Sequence, residues 1–322
     1  MKDFSIVPLW PIEASGHWKQ SAEDFEVEEL WTPAAEGQGE HVLLWLEKTG
    51  QNTEWVARQI ARFAGVRDFD VGLHGLKDRH AVTRQWMSVY LGKKPEPNWE
   101  KLDIEGTRIL QVSRTPKKLR RGEHLGNRFK LWVRQIEGDH ALLDQRLQLL
   151  AGEGFPNYFG LQRFGHDGHN LEQADAWFRG EGKPGRKAQR GMYLSAARSY
   201  LFNRILAERV RQNNWHTIIE GDVAGSAETE ALNSRALPTG PLFGGPEYLE
   251  AAAGAIEQAA VVTHGHWLSG LHKEGMRTAR RPLVAFADHL EWHWQDNDLH
   301  LTFDLGGGSF ASVFLEQCFE LH

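Results

Sequence analysis

Polar and apolar positions alternate in short runs along the first part of the chain. From Phe25 the residues alternate as they do in a half-buried strand, a second apolar run covers residues 41–46, and a third half-alternating run covers residues 83–89. A period of two places successive side chains on opposite faces of a sheet. We therefore predict three strands in this part of the chain.

A helix is predicted between the second and the third of these strands. Asn52 or Thr53 is suited to cap its N-terminus, and the apolar residues that follow share one helical face: Val56, Ile60, Phe63 and Ala64. Beyond residue 90, strands are predicted at residues 109–112 and 129–136, and an amphipathic helix at residues 142–150. This order favours an α+β domain with a mixed or antiparallel sheet over a doubly wound fold.

The pattern changes at the glycine-rich residues 152–156. Helical periodicity covers residues 171–178, 193–211, 247–263 and 267–273, whereas residues 221–248 are rich in Gly, Pro, Ala and Thr and are predicted to form a long loop. The last forty or so residues return to strand periodicity, at residues 290–294, 299–303 and 312–314. We therefore predict a mainly helical domain, residues 154–285, inserted into a discontinuous sheet domain, residues 1–153 plus 286–322.

Composition places the chain among globular proteins. Of its 322 residues 41% are hydrophobic, its mean hydropathy is −0.50, and no apolar run approaches the length of a membrane span. Residues 1–6 lack the features of a signal peptide, and one cysteine, Cys318, has no partner for an internal disulfide. We expect a cytoplasmic protein in which Cys318 is packed in the core of a C-terminal strand.

Charge is distributed unevenly along the chain. The formal net charge is −6, yet residues 114–134 contain eight Lys and Arg residues against the single acid Glu123, and further basic runs occupy residues 183–198 and 273–281. A run of this kind is often only a solvated face. Three runs interleaved with aromatic residues favour nucleic-acid binding through local basic surfaces.

One carboxylate, Asp78, stands between two cations in a glycine-led segment. Lys77 and Arg79 flank it, and neighbouring positive charge favours the ionised form of a carboxylate. Such a group can serve as a nucleophile or as a base. For an isolated Lys-Asp-Arg triplet, an ordinary ion pair in a loop is the commoner explanation.

Several segments resemble the tRNA pseudouridine synthase D (TruD) family, and they occur in the family's order. Residues 75–86 (GLKDRHAVTRQW) resemble the family's active-site signature, and residues 155–165 (FPNYFGLQRFG) are similar to its second signature. Shorter matches lie at residues 23–27, 126–129, 194–203 and 308–312. The resemblance therefore extends over nearly the whole chain.

The resemblance implies a function and a fold. The function is isomerisation of the uridine at position 13 of tRNA to pseudouridine, with Asp78 as the catalytic aspartate, Lys19 as the lysine that pairs with it, and neither cofactor nor metal. The fold is a pseudouridine-synthase catalytic domain interrupted by an inserted TRUD domain. Attack on the ribose and attack on the base both remain open. The expected partner is tRNA; no protein partner is implied, and a monomer is expected.

The same matching supplies candidate residues for substrate binding. Phe129 is expected to stack on the target base, Asn127 to hydrogen-bond near it, and Phe25 and Phe310 to line the pocket. Arg163, in the second signature, is expected at the joint between the domains and close to the active cleft. The first basic run supplies candidate contacts to the RNA backbone: Lys117, Lys118, Arg120, Arg121 and Arg128.

Two other functions fit parts of the pattern. A non-catalytic tRNA-binding or RNA-folding protein would need the basic runs but not Asp78. A carboxylate-dependent hydrolase would ordinarily need a second positioned carboxylate, and the sequence offers no convincing one. The chain also departs from the family at Gly306 and Gly307, which stand where the family usually has a proline before the segment containing Phe310.

Overall fold

The computed structural model describes residues 4, 6–31, 38–226 and 236–322, which combine strands and helices. The strands are β1 (Ser15–Trp18), β2 (Phe25–Leu30), β3 (His41–Thr49), β4 (Val71–Leu73), β5 (Val82–Tyr90), β6 (Thr107–Thr115), β7 (Gly126–Glu137), β8 (Phe155–Pro156), β9 (Ala224–Ser226), β10 (Ala236–Leu242), β11 (Ala279–Pro282), β12 (Val284–Ala285), β13 (Ala287–Gln295), β14 (Asp298–Gly306) and β15 (Glu320–Leu321). The α-helices are α1 (Thr53–Phe63), α2 (His140–Glu153), α3 (His169–Phe178), α4 (Lys187–Arg211), α5 (Ala251–Val261), α6 (Gly265–Lys273) and α7 (Ala311–Leu315).

The chain divides into two compact units. The sheet unit comprises Ala14–Gly138, His289–Gly308 and Leu321–His322; the helical unit comprises Met1–Glu13, Asp139–Asp288 and Ser309–Glu320. The helical unit thus includes α2 and α7, which the sequence assigned to the sheet domain. The division into a catalytic domain, residues 1–153 plus 286–322, and an inserted domain, residues 154–285, remains a prediction.

The sheet unit is built on one mixed sheet. Its strand order is β13-β14-β7-β2-β5-β3-β6, with β1 beside β7 and β4 beside β5. The β2–β5 pair is parallel, whereas β7 pairs antiparallel with β2 and β14, and β3 pairs antiparallel with β5 and β6. The predicted α+β class with a mixed sheet is confirmed.

Helix α1 covers one face of this sheet. Asn52 caps it, because its side-chain oxygen accepts hydrogen bonds from the backbone N–H groups of Glu54 and Trp55 at 2.9 and 3.2 Å. The apolar side of the helix packs with alternate residues of β3, which include Val42, Leu44 and Leu46, in one buried cluster. The apolar face of the helix and the apolar residues of β3 therefore form one core.

The helical unit is organised around α4. Helices α3 and α5 pack against it, and its buried side chains include Leu201, Phe202 and Ile205. A small antiparallel sheet, in the order β11-β10-β9, completes the unit together with the β12–β8 pair. None of the helices in the described ranges is long and apolar enough to cross a membrane.

Two predictions of local structure were wrong. Residues 221–248 were predicted as a loop, yet β9 and β10 lie within them, and residues 227–235 fall outside the described ranges. The Pro and Gly residues that indicated a loop are accommodated in β10, where a Cβ on Gly240 would lie 2.8 Å from Leu283 and 3.0 Å from Phe202. Glycine therefore permits close packing here and does not end the strand.

The second error concerns the C-terminus. Residues 312–314 were predicted as a strand but belong to the short helix α7. A short, almost wholly apolar run carries no period that separates helix from strand. Cys318 is buried, at 1% exposure, so its predicted core position is confirmed, although it does not lie in a strand.

Candidate active site

Asp78 lies in the segment between β4 and β5, here called the Asp78 loop (residues 74–80). One carboxylate oxygen, Oδ2, accepts a hydrogen bond from the Lys19 ammonium at 2.6 Å. The other, Oδ1, accepts from the backbone N–H of His80 at 2.9 Å. Both oxygens are therefore held, and the side chain remains 28% exposed. The predicted pairing of Lys19 with Asp78 is present in the structure.

The environment of Asp78 favours its ionised form. Burial raises the pKa of the carboxyl group, but the Lys19 ammonium and the His80 N–H outweigh burial, and the pKa lies below its ordinary value. The carboxylate is thus anionic at neutral pH. An anionic, partly exposed carboxylate is suited to nucleophilic or basic chemistry.

Lys19 is itself constrained by its neighbours. It follows β1 with a φ of 56°, in the left-handed region, and its ammonium lies 4.4 Å from the centroid of the Trp18 ring and 4.1 Å from that of Phe25. The two rings attract the cation and restrict where it can move. Lys19 therefore joins Asp78 to the predicted pocket residue Phe25.

The first half of the Asp78 loop is anchored by a buried carboxylate, Glu29 on β2. Its oxygens lie 2.8 Å from His74 Nδ1 and 2.9 Å from the Lys77 ammonium, and Oε1 also accepts from the backbone N–H of Trp86 at 3.3 Å. Burial raises the pKa of Glu29, but His74 and Lys77 together outweigh burial. The pKa therefore lies below its ordinary value, and Glu29 remains ionised. Lys77 is thus committed to Glu29, not to its sequence neighbour Asp78.

Three further hydrogen bonds hold the second half of the loop. Thr53, the first residue of α1, accepts from the Lys77 N–H at 3.1 Å. Lys48 on β3 donates to the Asp78 carbonyl at 2.8 Å, and Arg79 donates to the Gly50 carbonyl at 3.0 Å. Contacts from β2, β3 and α1 therefore converge on the loop that carries Asp78.

The two predicted pocket phenylalanines of the sheet unit are neighbours. The ring centroids of Phe25 and Phe129 are 5.9 Å apart, and Phe129 also stacks on Phe303 at 5.5 Å. Both are nearly buried, at 5% and 7% exposure. The structure thus brings them together with Lys19, and stacking of Phe129 on a target base remains a prediction.

Asn127 has a buried side-chain oxygen that makes no hydrogen bond with the described residues. It lies on β7, opposite Glu29 of β2 and Leu305 of β14. Buried polar atoms are normally paired, so an unpaired one beside a candidate site is consistent with the predicted contact to substrate.

We predict that Asn127→Ala weakens substrate use without destabilising the protein. Removing an acceptor that is already unpaired leaves no new unsatisfied group, whereas a lost substrate hydrogen bond costs about 0.5–1.5 kcal/mol, roughly a 2- to 12-fold rise in KM. The checks are steady-state kinetics on tRNA and thermal unfolding. A lower unfolding midpoint with unchanged KM would instead assign Asn127 to the framework of the sheet.

Phe310 and Arg163 lie in the helical unit. Phe159 contacts both: its ring centroid is 6.1 Å from that of Phe310 and 5.2 Å from the Arg163 guanidinium. Arg163 donates to the Ser195 hydroxyl at 3.2 Å, and burial lowers its pKa. The predicted roles of Phe310 and Arg163 in substrate binding remain predictions.

The residues proposed for RNA-backbone contact have different surroundings. Lys117, Arg120 and Arg121 are exposed, and Arg121 pairs with Glu54 at 3.1 Å. Lys118 donates to the Phe69 carbonyl. Arg128 is held across β7 and β14 by both oxygens of Asp304, at 2.8 and 2.9 Å.

Sequence reasoning missed the residues that anchor the Asp78 loop. Glu29 lies in the recognised alternating run, at the buried phase of Phe25 and Val27. Lys48 lies just beyond the predicted strand 41–46, at the buried phase set by Val42, Leu44 and Leu46. A charged residue at an apolar phase was therefore the available signal. Within the described ranges, no three His, Cys, Asp or Glu side chains gather as a metal site would require.

Comparison with known proteins concerns the family of this chain. The family model described as "tRNA pseudouridine synthase D (TruD)" matches residues 12–173 and 186–318. The chain belongs to the TruD family. The TruD resemblance stated from the sequence is thereby confirmed.

Relatives bearing the TruD name match almost end to end. The tRNA pseudouridine synthase D of Hydrogenovibrio crunogenus is 41% identical over 319 residues, covering 94% of this chain and 92% of that protein. That of Nitrosococcus oceani is 43% identical over 314 residues, covering 92% and 88%. A crystal structure described as a putative TruD from Methanosarcina mazei matches with a TM-score of 0.74 at 20% identity, covering 98% of this chain and 96% of the other. The structural match shows that the TruD fold is shared.

Proposed function

We propose that this chain is a tRNA pseudouridine synthase that isomerises the uridine at position 13 of tRNA, with Asp78 as its nucleophile. The observation that carries the proposal is the anionic carboxylate of Asp78, whose two oxygens accept hydrogen bonds from Lys19 and the His80 N–H. The chain also belongs to the TruD family. The proposed site of action is the cytoplasm, where tRNA is available, and no protein partner is required.

The reaction conserves the atoms of the nucleotide apart from exchanged protons. The bond from ribose C1′ to base N1 breaks, the uracil turns, and a bond from C1′ to C5 forms. The C5 proton passes to solvent, and N1 takes up a proton. No electrons are gained or lost and no group is transferred elsewhere, so the chemistry requires no redox or group-transfer cofactor.

Asp78 divides this exchange into two easier steps. An ionised carboxylate adds to the nucleotide, at the ribose or at the base, and is expelled once the base has turned. Both routes require the anion, which Lys19 and His80 maintain. The target base must also leave its stack to reach the carboxylate. Asn127, whose side-chain oxygen has no hydrogen-bond partner among the described residues, is assigned to orient it.

Contact with the tRNA backbone is assigned to the exposed part of the first basic run. Lys117 and Arg120 are exposed, whereas Arg128 is engaged by Asp304. Cations that neutralise phosphates release counterions and make binding dependent on salt. We therefore assign backbone contact first to Lys117 and Arg120.

We predict that Lys117→Gln and Arg120→Gln each reduce the slope of log affinity against log salt by about one. The measurement is tRNA binding between roughly 50 and 200 mM salt. Lys101→Gln, at an exposed lysine of the same unit, is the matched control and should leave the slope unchanged. If the slope of log affinity against log salt is the same in all three variants, Lys117 and Arg120 do not contact the RNA.

The proposed activity is tested by proton release from labelled substrate. A tRNA transcript carrying tritium at uridine C5 loses tritium to water only where that carbon becomes bonded to ribose. Wild-type protein should release one equivalent of tritium per tRNA. It should release none when the uridine at position 13 is replaced by cytidine. Release that persists with the cytidine variant would assign the activity to another site; no release would reject the proposed activity.

A further inference from the structure

Lys48 is a buried cation at a position where packing does not require a charge. Its side chain has no exposed surface, and it continues the inward phase of β3, where the preceding inward residues are apolar. Burying an ammonium costs free energy unless hydrogen bonds and charge compensate it. Since an apolar residue would fill this position at lower cost, the lysine calls for an explanation outside packing.

The contact made by Lys48 reaches the Asp78 loop. Its Nζ donates to the backbone carbonyl of Asp78 at 2.8 Å. The charged groups that act on it are Asp78, which favours its protonated form, and Lys77, which disfavours it. Its neighbours in register are Thr83 on β5 and Thr107 on β6, neither of which carries a charge.

The surroundings of Lys48 do not otherwise satisfy it. Among the described residues, the hydroxyl oxygens of Thr83 and Thr107 are buried without hydrogen-bond partners. Burial lowers the pKa of Lys48 to about 8 in spite of Asp78. The site thus holds a cation at a cost in stability, as functional positions often do.

We propose that Lys48 is a positioning residue, which fixes the main chain of Asp78 from inside the sheet while Lys19 fixes its carboxylate. The inference rests on the proposed function of Asp78. The two lysines hold the same residue through different atoms, the backbone oxygen and Oδ2. With His80 bonded to Oδ1, the carboxylate is left with little freedom to turn away from a bound nucleotide.

The test compares Lys48→Met with wild type and with Leu46→Met. Met has nearly the length of Lys but neither charge nor donor, and Leu46 is an equally buried residue on the same face of β3. Because a displacement of about 1 Å can reduce turnover roughly 100-fold, we expect kcat of Lys48→Met to fall by about that factor while its Kd for tRNA stays within about twofold. Leu46→Met should keep kcat within about twofold of wild type.

Lys48→Met is expected to lower kcat but not to lower the stability of the protein. The unfolded chain keeps the Lys48 proton up to its ordinary pKa of 10.5, whereas the folded protein releases it near 8. Between these values the unfolded state binds more protons, so the contribution of this position to stability rises with pH and is most unfavourable below pH 8. Lys48→Met should therefore unfold at the same or a higher temperature than wild type at pH 7, and this advantage should shrink towards pH 10.

The outcomes separate the two proposals. A slower yet equally or more stable Lys48→Met would support the positioning role. A variant that is less stable at pH 7, or that turns over as fast as wild type, would overturn it. A Lys48→Met variant that does not fold counts as less stable and likewise overturns the positioning role. A wild type that forms no pseudouridine would instead reject the proposed function itself.

Discussion

Asp78→Asn is expected to lower the single-turnover rate of uridine isomerisation by about 10⁴-fold or more, the scale of loss when a nucleophile is removed. The amide has the shape of the carboxylate but cannot attack, and it also loses the charge that pairs with Lys19. The fold and the affinity for tRNA should change little, because the remainder of the Asp78 loop is held by Glu29, Thr53 and Lys48. The measurement is rapid mixing of excess enzyme with labelled tRNA.

A matched control isolates the role of this one carboxylate. Asp68→Asn removes the same charge from an exposed position in the same unit and should turn over like wild type. Isomerisation by Asp78→Asn within tenfold of the wild-type rate, about 1.4 kcal/mol, would remove Asp78 from the mechanism. Loss of tRNA binding by Asp78→Asn would instead assign the residue to recognition.

Lys19→Met is expected to lower kcat by roughly 100- to 1,000-fold at neutral pH, the size of effect seen when one electrostatic partner of a reacting group is removed. In wild type, Lys19 and His80 outweigh burial and keep the pKa of Asp78 below its ordinary value. Without Lys19, burial still raises that pKa, and one of the opposing groups is gone. Protonated Asp78 is inactive, so the acid limb of kcat/KM should move to higher pH.

The check is the dependence of kcat/KM on pH for wild type and Lys19→Met. Lys19→Arg is the matched variant, because it keeps a cation at the same position, and it should retain the wild-type acid limb better than Lys19→Met. An acid limb at the same pH in all three proteins would show that Lys19 does not control ionisation of Asp78. A uniform fall in rate without movement of the limb would restrict Lys19 to orienting the carboxylate.

Apolar patterning was sufficient to predict β2, β3 and β5. β2 appears in the sequence as an alternating run, β3 as a continuous apolar run and β5 as a half-alternating run. α1 was equally clear because Asn52 caps it and one face is apolar. These elements have local signals that agree with their environment in the fold.

Where local signals and environment disagree, the sequence misleads. The apolar run of α7 is buried on several sides, so it shows neither helical nor strand period. β10 contains two prolines and a glycine, yet it pairs on both edges, because close packing against Phe202 favours the small residue. Tertiary contacts, absent from any local pattern, decide both elements.

Some residues of the candidate site could be predicted from the sequence, and others could not. The resemblance supplied Asp78 and Lys19, and the structure places them in contact. It did not supply Lys48 or Glu29, whose importance arises from partners distant in the chain, at Asp78 and at His74 and Lys77. Residues that act through a loop carry no motif of their own, and only the fold reveals them.

The most direct test of the central claim is to map pseudouridine in unmodified tRNA carrying a uridine at position 13. Carbodiimide adducts that survive alkali mark pseudouridine and stop primer extension, and wild type is compared with Asp78→Asn. We predict a stop assigned to position 13 with wild type and no stop with Asp78→Asn. Tight tRNA binding without a stop in either sample would contradict the claim and favour a non-catalytic tRNA-binding protein.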